Sequence, residues 1–319
     1  MAKNPETADK PRIAFFGTSI FSVYILDGLL EHGITPDLII TTPDKPQGRK
    51  LLITPCPAKE WALEHDIPVI SPEKIRDLAV QDQLRAGEFD LFIVASYGKI
   101  LPTEILDMPR RKTLNVHPSL LPLFRGPSPI ESAILHNPTV GNDPENIHDQ
   151  KKTGVSIMEL DAEMDHGPIL VQSVYITPEW PSRETLEREL GALGAKLLAE
   201  IIPHWVAGKV EAEAQEHDRA TYTKKITKDE ALIDFTLPHA YEGVQGYTNF
   251  LKIQAYAGWP QAYAFFEKKT GLAKGEDYTK VRIVIKEAEW DKATEKLTIT
   301  RVVPEGKKEM SFEEFKRGL

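Results

Sequence analysis

Three stretches near the start of the chain set its fold class. Residues 12–17, Arg-Ile-Ala-Phe-Phe-Gly, form an apolar run that ends in glycine, which is typical of a buried strand. The stretch up to residue 30 then has apolar side chains at helical spacing behind Thr18 and Ser19, either of which could cap a helix. Residues 37–42 form a second apolar run. Strand, helix and strand in this order predict a βαβ unit, and therefore an α/β fold with a mostly parallel, Rossmann-like sheet.

Later stretches extend this sheet, and the glycine pattern after its first strand excludes a dinucleotide. Residues 89–95 are strongly apolar and predict its central strand. Residues 73–86 and 183–202 have the apolar spacing of helices. In the first of these helices, the residues expected to face inward are Ile75, Leu78 and Leu84. A βαβ start often binds a dinucleotide, but only one glycine stands where the G-x-G-x-x-G pattern needs three. An NAD site is therefore excluded.

The last hundred residues have a different pattern, with strands at short intervals that predict a small OB-type β-barrel. Alternating apolar segments occur at 262–267, 281–286 and 297–302. A helix is expected over 238–250, and Ser311 with Glu314 forms the capping box of a last short helix. The expected domains are a catalytic domain at 1–206, a polar linker at 207–220 and the barrel at 221–319.

Charge and cysteine content limit the partners. The net charge of −9 argues against general nucleic-acid binding and against DNA. Residues 221–319 nevertheless hold 17 Lys and Arg against 15 Asp and Glu, so this part can contact a polyanion locally. The single cysteine, Cys56, excludes an internal disulfide and indicates a cytoplasmic location. No apolar run approaches a membrane span, and residues 1–10 are expected to form a loose polar tail.

One short strand carries two polar side chains with catalytic potential. In Leu114-Asn-Val-His117, Asn115 and His117 alternate with apolar residues and therefore point to the same side. An amide and an imidazole on one face can both donate hydrogen bonds to a single developing oxyanion. The alternative is that both side chains only satisfy buried backbone groups at a strand end. The nine histidines show no metal-ligand spacing, so no metal site is expected.

The run continues as Pro118-Ser-Leu-Leu-Pro and Arg125-Gly126, and the whole stretch resembles the signature of folate-dependent formyltransferases. This resemblance implies that Asn115 and His117 lie at the reacting carbon. It also implies a catalytic aspartate followed two residues later by glycine, which matches Asp165. The rival carboxylates Asp161 and Glu163 lack a glycine at that spacing and are expected in a solvated loop.

The family resemblance also implies a site for the formyl donor 10-formyltetrahydrofolate. The Tyr-Gly-x-Ile-Leu-Pro pattern after the central strand is similar to the family's pterin-holding turn. The carboxyl ends of strands in an open α/β sheet are where ligands bind. The residues expected at the folate are Ser96, Tyr97, Gly98, Ile100, Leu101, Pro102, Ser119, Leu120, Leu121, Pro122 and Gly167.

Two further regions resemble methionyl-tRNA formyltransferases in particular. These are Pro-Asp-Lys-Pro-x-Gly-Arg at 43–49 and Gly-Lys-Lys-x-Met at 306–310. Leu51-Leu52 and Gln254 depart from the family, which has basic residues there. The resemblance implies contact with charged initiator tRNA through Phe21, Lys45, Arg49, Lys50, Lys224, Lys225, Lys307 and Lys308.

The expected function is therefore transfer of a formyl group from 10-formyltetrahydrofolate to methionyl initiator tRNA. An amino-sugar N-formyltransferase would share the first domain and the Asn115, His117 and Asp165 set, but it would not need a basic barrel. An RNA-binding protein without catalytic activity would explain the lysines and leave that set unexplained. Residues 137–152 are interpreted as an insertion of unknown purpose.

Overall fold

The first part of the chain folds around a seven-stranded sheet. The computed structural model describes residues 10–47, 51–136, 151–269 and 278–319. Its first nine strands are β1 (Ile13–Gly17), β2 (Leu38–Ile40), β3 (Lys45–Gln47), β4 (Leu52–Thr54), β5 (Val69–Ile70), β6 (Leu91–Ala95), β7 (Thr113–His117), β8 (Lys151–Glu159) and β9 (Ile169–Thr177). The sheet has the order β5-β2-β1-β6-β7-β8-β9, and β3 with β4 forms a separate hairpin.

The parallel part of the sheet gathers three loops at one edge. Strands β1, β2, β5, β6 and β7 are parallel, and β8 runs antiparallel to β7. Strand β6 has the central position and is buried along its whole length, as its apolar sequence predicted. Because β1, β6 and β7 share one direction, the loops that follow Gly17, Ala95 and His117 leave the same edge.

The helices of this part are α1 (Ile20–Glu31), α2 (Pro57–Glu64), α3 (Leu78–Ala86), α4 (Thr103–Leu106), α5 (Pro129–Leu135) and α6 (Arg183–Val206). Of the two predicted caps of α1, Ser19 is the one observed, because its hydroxyl accepts a hydrogen bond from the Phe21 N–H at 3.2 Å. Helix α6 packs closely on the sheet, since a Cβ placed on Gly194 would lie 2.7 Å from Cγ1 of Val116.

The helix predicted over 73–86 is only partly correct, because α3 begins at Leu78. The ammonium group of Lys99 donates to the carbonyl oxygens of Pro72 at 2.9 Å and Glu73 at 2.8 Å. These bonds hold the chain just before residue 74 in a non-helical path. Leu78, expected to face inward, is 74% exposed, whereas Ile75 and Leu84 are buried as expected.

The C-terminal part contains an antiparallel sheet of order β10-β11-β12-β13, built from β10 (Tyr263–Lys269), β11 (Tyr278–Asp291), β12 (Lys296–Pro304) and β13 (Met310–Ser311). Its helices are α7 (Gly243–Ala255) and α8 (Phe312–Arg317). The capping box of Ser311 and Glu314 at the start of α8 is confirmed. The helix expected over 238–250 begins at Gly243, because turns precede it. The predicted fold class is confirmed: a mostly parallel α/β sheet followed by a small antiparallel unit of the barrel type.

The chain divides into two compact units. The first comprises residues 1–126, 152–175 and 187–222, and the second comprises residues 127–151, 176–186 and 223–319. The expected functional division at 206 and 220 stays a prediction, but residues 207–222 belong to the compact unit that contains the large sheet. None of the helices in the described ranges is long and apolar enough to cross a membrane.

Candidate active site

The carboxyl end of β7 presents two polar side chains on one face. Asn115 and His117 are 8% and 4% exposed and lie on the same side of the strand. Val116 points to the opposite side and packs beneath Gly194 of α6. The alternation of the sequence thus places an amide and an imidazole together at the sheet edge where ligands bind in α/β folds.

Each nitrogen of the His117 ring faces an oxygen atom of the protein. Its Nε2 lies 3.0 Å from the carbonyl oxygen of Phe124, and because a carbonyl only accepts, Nε2 carries a hydrogen. Its Nδ1 faces Oδ1 of Asp165 at 3.6 Å. This distance is too long for a hydrogen bond but lies within the range of an ion pair. With Nε2 held by Phe124, the ring can donate through Nδ1 only when both nitrogens are protonated.

The Asp165 loop connects β8 with β9 and is shaped by backbone contacts. Asp165 has a φ of 50°, in the left-handed region, and its Oδ2 accepts a hydrogen bond from the Gly126 N–H at 2.7 Å. A Cβ placed on Gly167 would lie 2.0 Å from the main-chain oxygen of Glu159. The Asp-x-Gly spacing therefore has a physical reason, because only glycine lets the loop return this closely to β8.

The carboxamide of Asn115 is available for a ligand. Within the part of the chain that the structure describes, no group makes a hydrogen bond to this side chain. A buried amide normally has a partner. An open amide beside the His117 ring is what a site for an oxygen that gains negative charge requires.

The rival carboxylates have other contacts. Asp161 holds Nδ1 of His166 at 2.7 Å and accepts the Glu163 N–H at 2.9 Å. Glu163 is exposed, as expected for a solvated loop. Of the three carboxylates, Asp165 is the one that faces His117.

The turn after β6 has the backbone features expected of a ligand loop. Ser96 and Gly98 have φ angles of 52° and 80°, and nothing lies within 4 Å of a Cβ placed on Gly98. Tyr97 is buried, which raises the pKa of its phenol to about 12, and its carbonyl oxygen accepts from Thr18 Oγ1 at 2.8 Å. Ile100 is 83% exposed. Of the last two predicted folate residues in this turn, Leu101 is buried and Pro102 precedes α4.

The loop after β7 is fixed by two residues that the sequence analysis missed. Ser156 of β8 donates to the carbonyl of Ser119 at 2.6 Å and accepts the Leu121 N–H at 3.1 Å. Gln172 of β9 donates to Ser156 at 2.8 Å and to the Leu121 carbonyl at 2.9 Å. Ser119 itself is fully buried and donates to the backbone, which agrees with a structural role. Leu120 is half-buried, and Pro122 follows Leu121 through a cis peptide bond.

The predicted tRNA residues differ in their placement. Phe21 is 3% exposed, so its expected tRNA contact does not match the structure, where the apolar face of α1 buries it. Arg49 and Lys50 lie outside the described residues, as does nearly all of the 137–152 insertion. The remaining predicted tRNA residues are all exposed: Lys45, Lys224, Lys225, Lys307 and Lys308. Leu51 and Leu52 are 70% and 64% exposed.

The contact between Arg125 and Gln215 near the site was not predicted. Arg125, which the sequence singled out only as part of a motif, is 1% exposed and contacts Gln215, which the sequence placed in the linker. Arginine is rarely buried unless it is paired, so the sequence carried no signal for the burial of Arg125. Gln215 carried no signal either, because its neighbours are polar or small. Among the described residues, no three His, Cys, Asp or Glu side chains converge to hold a metal ion.

Comparison with known proteins agrees with this geometry. The family model described as "Formyl transferase" matches residues 11–202. The methionyl-tRNA formyltransferase of Geobacillus sp. is 38% identical over 96% of this chain and 94% of its own length. That of Chloroflexus aggregans is 42% identical over 80% of this chain and 76% of its own length.

A solved structure has the same fold at low sequence identity. It is an N-formyltransferase from Helicobacter canadensis in complex with folinic acid and dTDP-3-aminofucose. It covers 91% of this chain and 98% of its own, with a TM-score of 0.55 and 15% identity.

Proposed function

This chain belongs to the methionyl-tRNA formyltransferase family, and we propose that it moves the formyl group of 10-formyltetrahydrofolate to the α-amino group of methionine on charged initiator tRNA. Its enzyme class, a formyltransferase, follows from the family. The donor, the acceptor and the residues that act on them are the proposed part. A cytoplasmic location is proposed with them, because translation initiation takes place there.

The observation that carries the proposal is the convergence of Asn115, His117 and Asp165 at the carboxyl end of β7. Formyl transfer needs donors for the oxygen of a tetrahedral intermediate and an acceptor for the amine proton. The Asn115 amide and the His117 Nδ1–H of the doubly protonated ring supply the donors. The Asp165 carboxylate supplies the acceptor and stabilises the ring charge.

The reaction balances with these groups and without a covalent enzyme intermediate. The neutral amine of the acceptor forms a bond to the formyl carbon, and the carbonyl electron pair moves to oxygen. Asn115 and His117 donate to that oxygen, each such bond being worth about 3–4 kcal/mol in the transition state. Asp165 takes the proton of the new ammonium group, directly or through water. Collapse then breaks the bond from the formyl carbon to N10 of the folate, and N10 takes up the proton that Asp165 received, directly or through water, which restores the carboxylate.

The turn after β6 fits a flat, polar ring system. It offers backbone groups at Ser96 and Gly98 in left-handed conformations, with open space beside Gly98. The exposed side chain of Ile100 offers apolar surface next to them. Strand pairing of Val94 with Asn115 places this turn beside the carboxyl end of β7. These residues would hold the pterin, and the 119–122 loop would lie on the other side of His117.

The acceptor is tested by offering the protein four substrates with 10-formyltetrahydrofolate. These are methionyl initiator tRNA, methionyl elongator tRNA, free methionine and a nucleotide-linked amino sugar. Formylmethionine formed on initiator tRNA at least about tenfold faster than on the others is the expected result. Preferential formylation of the amino sugar would replace this proposal with the sugar enzyme. Folate binding without transfer to any acceptor would remove the proposed reaction.

A further inference from the structure

Residues 213–222 are tied to the candidate active site, although the sequence predicts a linker over most of this stretch. The main chain of Glu213 pairs with that of Ile169 at the start of β9 through two N–H···O bonds of 2.8 Å. Gln215 follows and is 6% exposed, whereas Ala214 and Glu216 on either side are exposed. A buried polar side chain within an exposed stretch is stable only with hydrogen-bond partners.

Both the nitrogen and the oxygen of the Gln215 carboxamide form hydrogen bonds. Its Nε2 donates to the carbonyl oxygen of Asp165 at 2.9 Å and to that of Gly167 at 2.7 Å. Its Oε1 accepts from Nε and Nη2 of Arg125 at 3.1 and 2.7 Å. A flipped amide would set its oxygen against two carbonyl oxygens and its nitrogen against a guanidinium, so the partners fix its orientation.

Arg125 links this amide to the groups that hold His117 and Asp165. Its guanidinium also donates to Nδ1 of His217 at 2.9 Å and to the Tyr222 hydroxyl at 3.3 Å. The residue before Arg125, Phe124, accepts the His117 Nε2–H at 3.0 Å. The residue after it, Gly126, donates to Asp165 Oδ2 at 2.7 Å.

These contacts form a closed ring of bonds that begins and ends at Asp165. The Asp165 carboxylate is bound by Gly126, Gly126 is covalently joined to Arg125, Arg125 is bound by Gln215, and Gln215 returns to the Asp165 carbonyl. We propose that Gln215 is a positioning residue for formyl transfer, which holds the Asp165 carboxylate in place opposite His117. The inference rests on the proposed function, because it concerns the same reaction centre.

The conformation of Asp165 makes such a tether necessary. A non-glycine residue at a φ of 50° keeps that conformation only when surrounding contacts impose it. Gly126 holds the side chain of Asp165, and Gln215 holds its main chain. Without Gln215, the main chain of Asp165 would lose this hydrogen bond and Asp165 would move relative to His117. A displacement of about 1 Å in a catalytic group can lower a rate about a hundredfold.

The variant that separates positioning from plain structural support is Gln215→Glu. A carboxylate at this position still accepts from Arg125, so the buried guanidinium keeps a partner. It has no hydrogen to donate to the carbonyls of Asp165 and Gly167. The matched control is Glu216→Gln, which changes an adjacent exposed side chain whose ion pair is with Arg219. If Gln215→Glu does not fold, Gln215→Met, of similar length and without charge, takes its place.

Turnover on methionyl initiator tRNA is the first measurement. Gln215→Glu is expected to lower kcat, expressed per folded enzyme, about tenfold to a hundredfold, with the KM values for folate and tRNA within about twofold. In an Asp165→Asn background the same substitution is expected to lower kcat only slightly further, because the carboxylate to be positioned is already absent. A kcat equal to that of the wild type in folded Gln215→Glu would overturn the inference. So would an equally large loss of kcat when Gln215→Glu is added to Asp165→Asn.

Hydrogen–deuterium exchange of residues 160–168 tests the tether independently of any substrate. Gln215→Glu is expected to speed exchange in this loop but not in α3, and Glu216→Gln is expected to leave both unchanged. If the wild-type protein formed no formylmethionine, the proposed function would fail and this measurement alone would decide the inference. Unchanged exchange in the loop would then overturn it.

Discussion

Nδ1 of His117 lies 3.6 Å from Oδ1 of Asp165, although His117 ends strand β7 and Asp165 lies in the loop between β8 and β9. Because β8 runs antiparallel to β7 and pairs Glu159 with Leu114, the loop after β8 leaves near the start of β7 and turns back to bring Asp165 to His117 at the other end of that strand. The path of this loop, rather than sequence proximity, therefore creates the pair that the proposed reaction uses.

Asn115→Ala and His117→Ala are each expected to lower kcat by about a hundredfold or more, because each removes one donor to the oxyanion. Circular dichroism should report an intact fold, since the Asn115 side chain has no hydrogen-bond partner among the described residues. Steady-state kinetics with saturating tRNA is the measurement. Turnover close to that of the wild type in either folded variant would remove that residue from the reaction.

Asp165→Asn is expected to lower the rate of formyl transfer severely, whereas Asp161→Asn should lower it only slightly. An amide keeps the shape of the Asp165 carboxylate but neither stabilises charge on His117 nor accepts a proton. Asp161 instead holds His166, whose ring stacks on that of His217 at 4.1 Å. Single-turnover rates of the two variants make the comparison. The opposite ranking would show that Asp161 is the catalytic carboxylate.

The sequence could predict the parts of this site that depend on local pattern. Period-two alternation placed Asn115 and His117 on one face, whereas Asp165 was identified only through the family resemblance, with Gly167 at the tight return of the loop to Glu159. It could not predict partners that depend on tertiary contact. Ser156 and Gln172 lie in strands where a polar side chain is typical of an ordinary surface position. Gln215 lies in a stretch without periodicity, and only the pairing of Glu213 with Ile169 brings it inward.

Ser156→Ala is expected to raise the KM for 10-formyltetrahydrofolate about tenfold with a smaller effect on kcat. Removal of the hydroxyl leaves the buried Leu121 N–H without its acceptor at a cost of about 1–3 kcal/mol, so the 119–122 loop relaxes. Direct folate binding by calorimetry checks this. Ser182→Ala, at the start of α6, serves as a control serine. Unchanged folate affinity in Ser156→Ala would separate the loop from the donor site.

The double variant Lys307→Ala/Lys308→Ala is expected to weaken binding of charged tRNA but not of folate. Both side chains are exposed in the turn between β12 and β13 and can neutralise phosphates. The slope of log affinity against log salt should fall by roughly 0.7–0.9 for each phosphate that the variant no longer neutralises. Filter binding at several salt concentrations measures it. A slope equal to that of the wild type would place the tRNA-binding surface elsewhere.

Residues 209–222 decide where a catalytic fragment can end. From the sequence alone, a fragment ending near Gly208 should keep the chemistry, because Asn115, His117 and Asp165 all precede it. The structure changes this expectation. Such a fragment lacks Gln215 and Tyr222, so the buried guanidinium of Arg125 is deprived of these partners and the Asp165 loop is deprived of its tether.

A fragment of residues 1–222 is therefore expected to formylate a small amine at least about tenfold faster than a fragment of residues 1–208. Removing a hydrogen bond to a charged group costs about 1.5–3 kcal/mol, enough for such a difference. Both fragments lack α7, which packs against α5 within the second compact unit, so they share that defect and their ratio isolates residues 209–222. Tetrahydrofolate release, normalised to the folded fraction from circular dichroism, measures the ratio. Equal rates would mean that residues 209–222 act as a linker and nothing more.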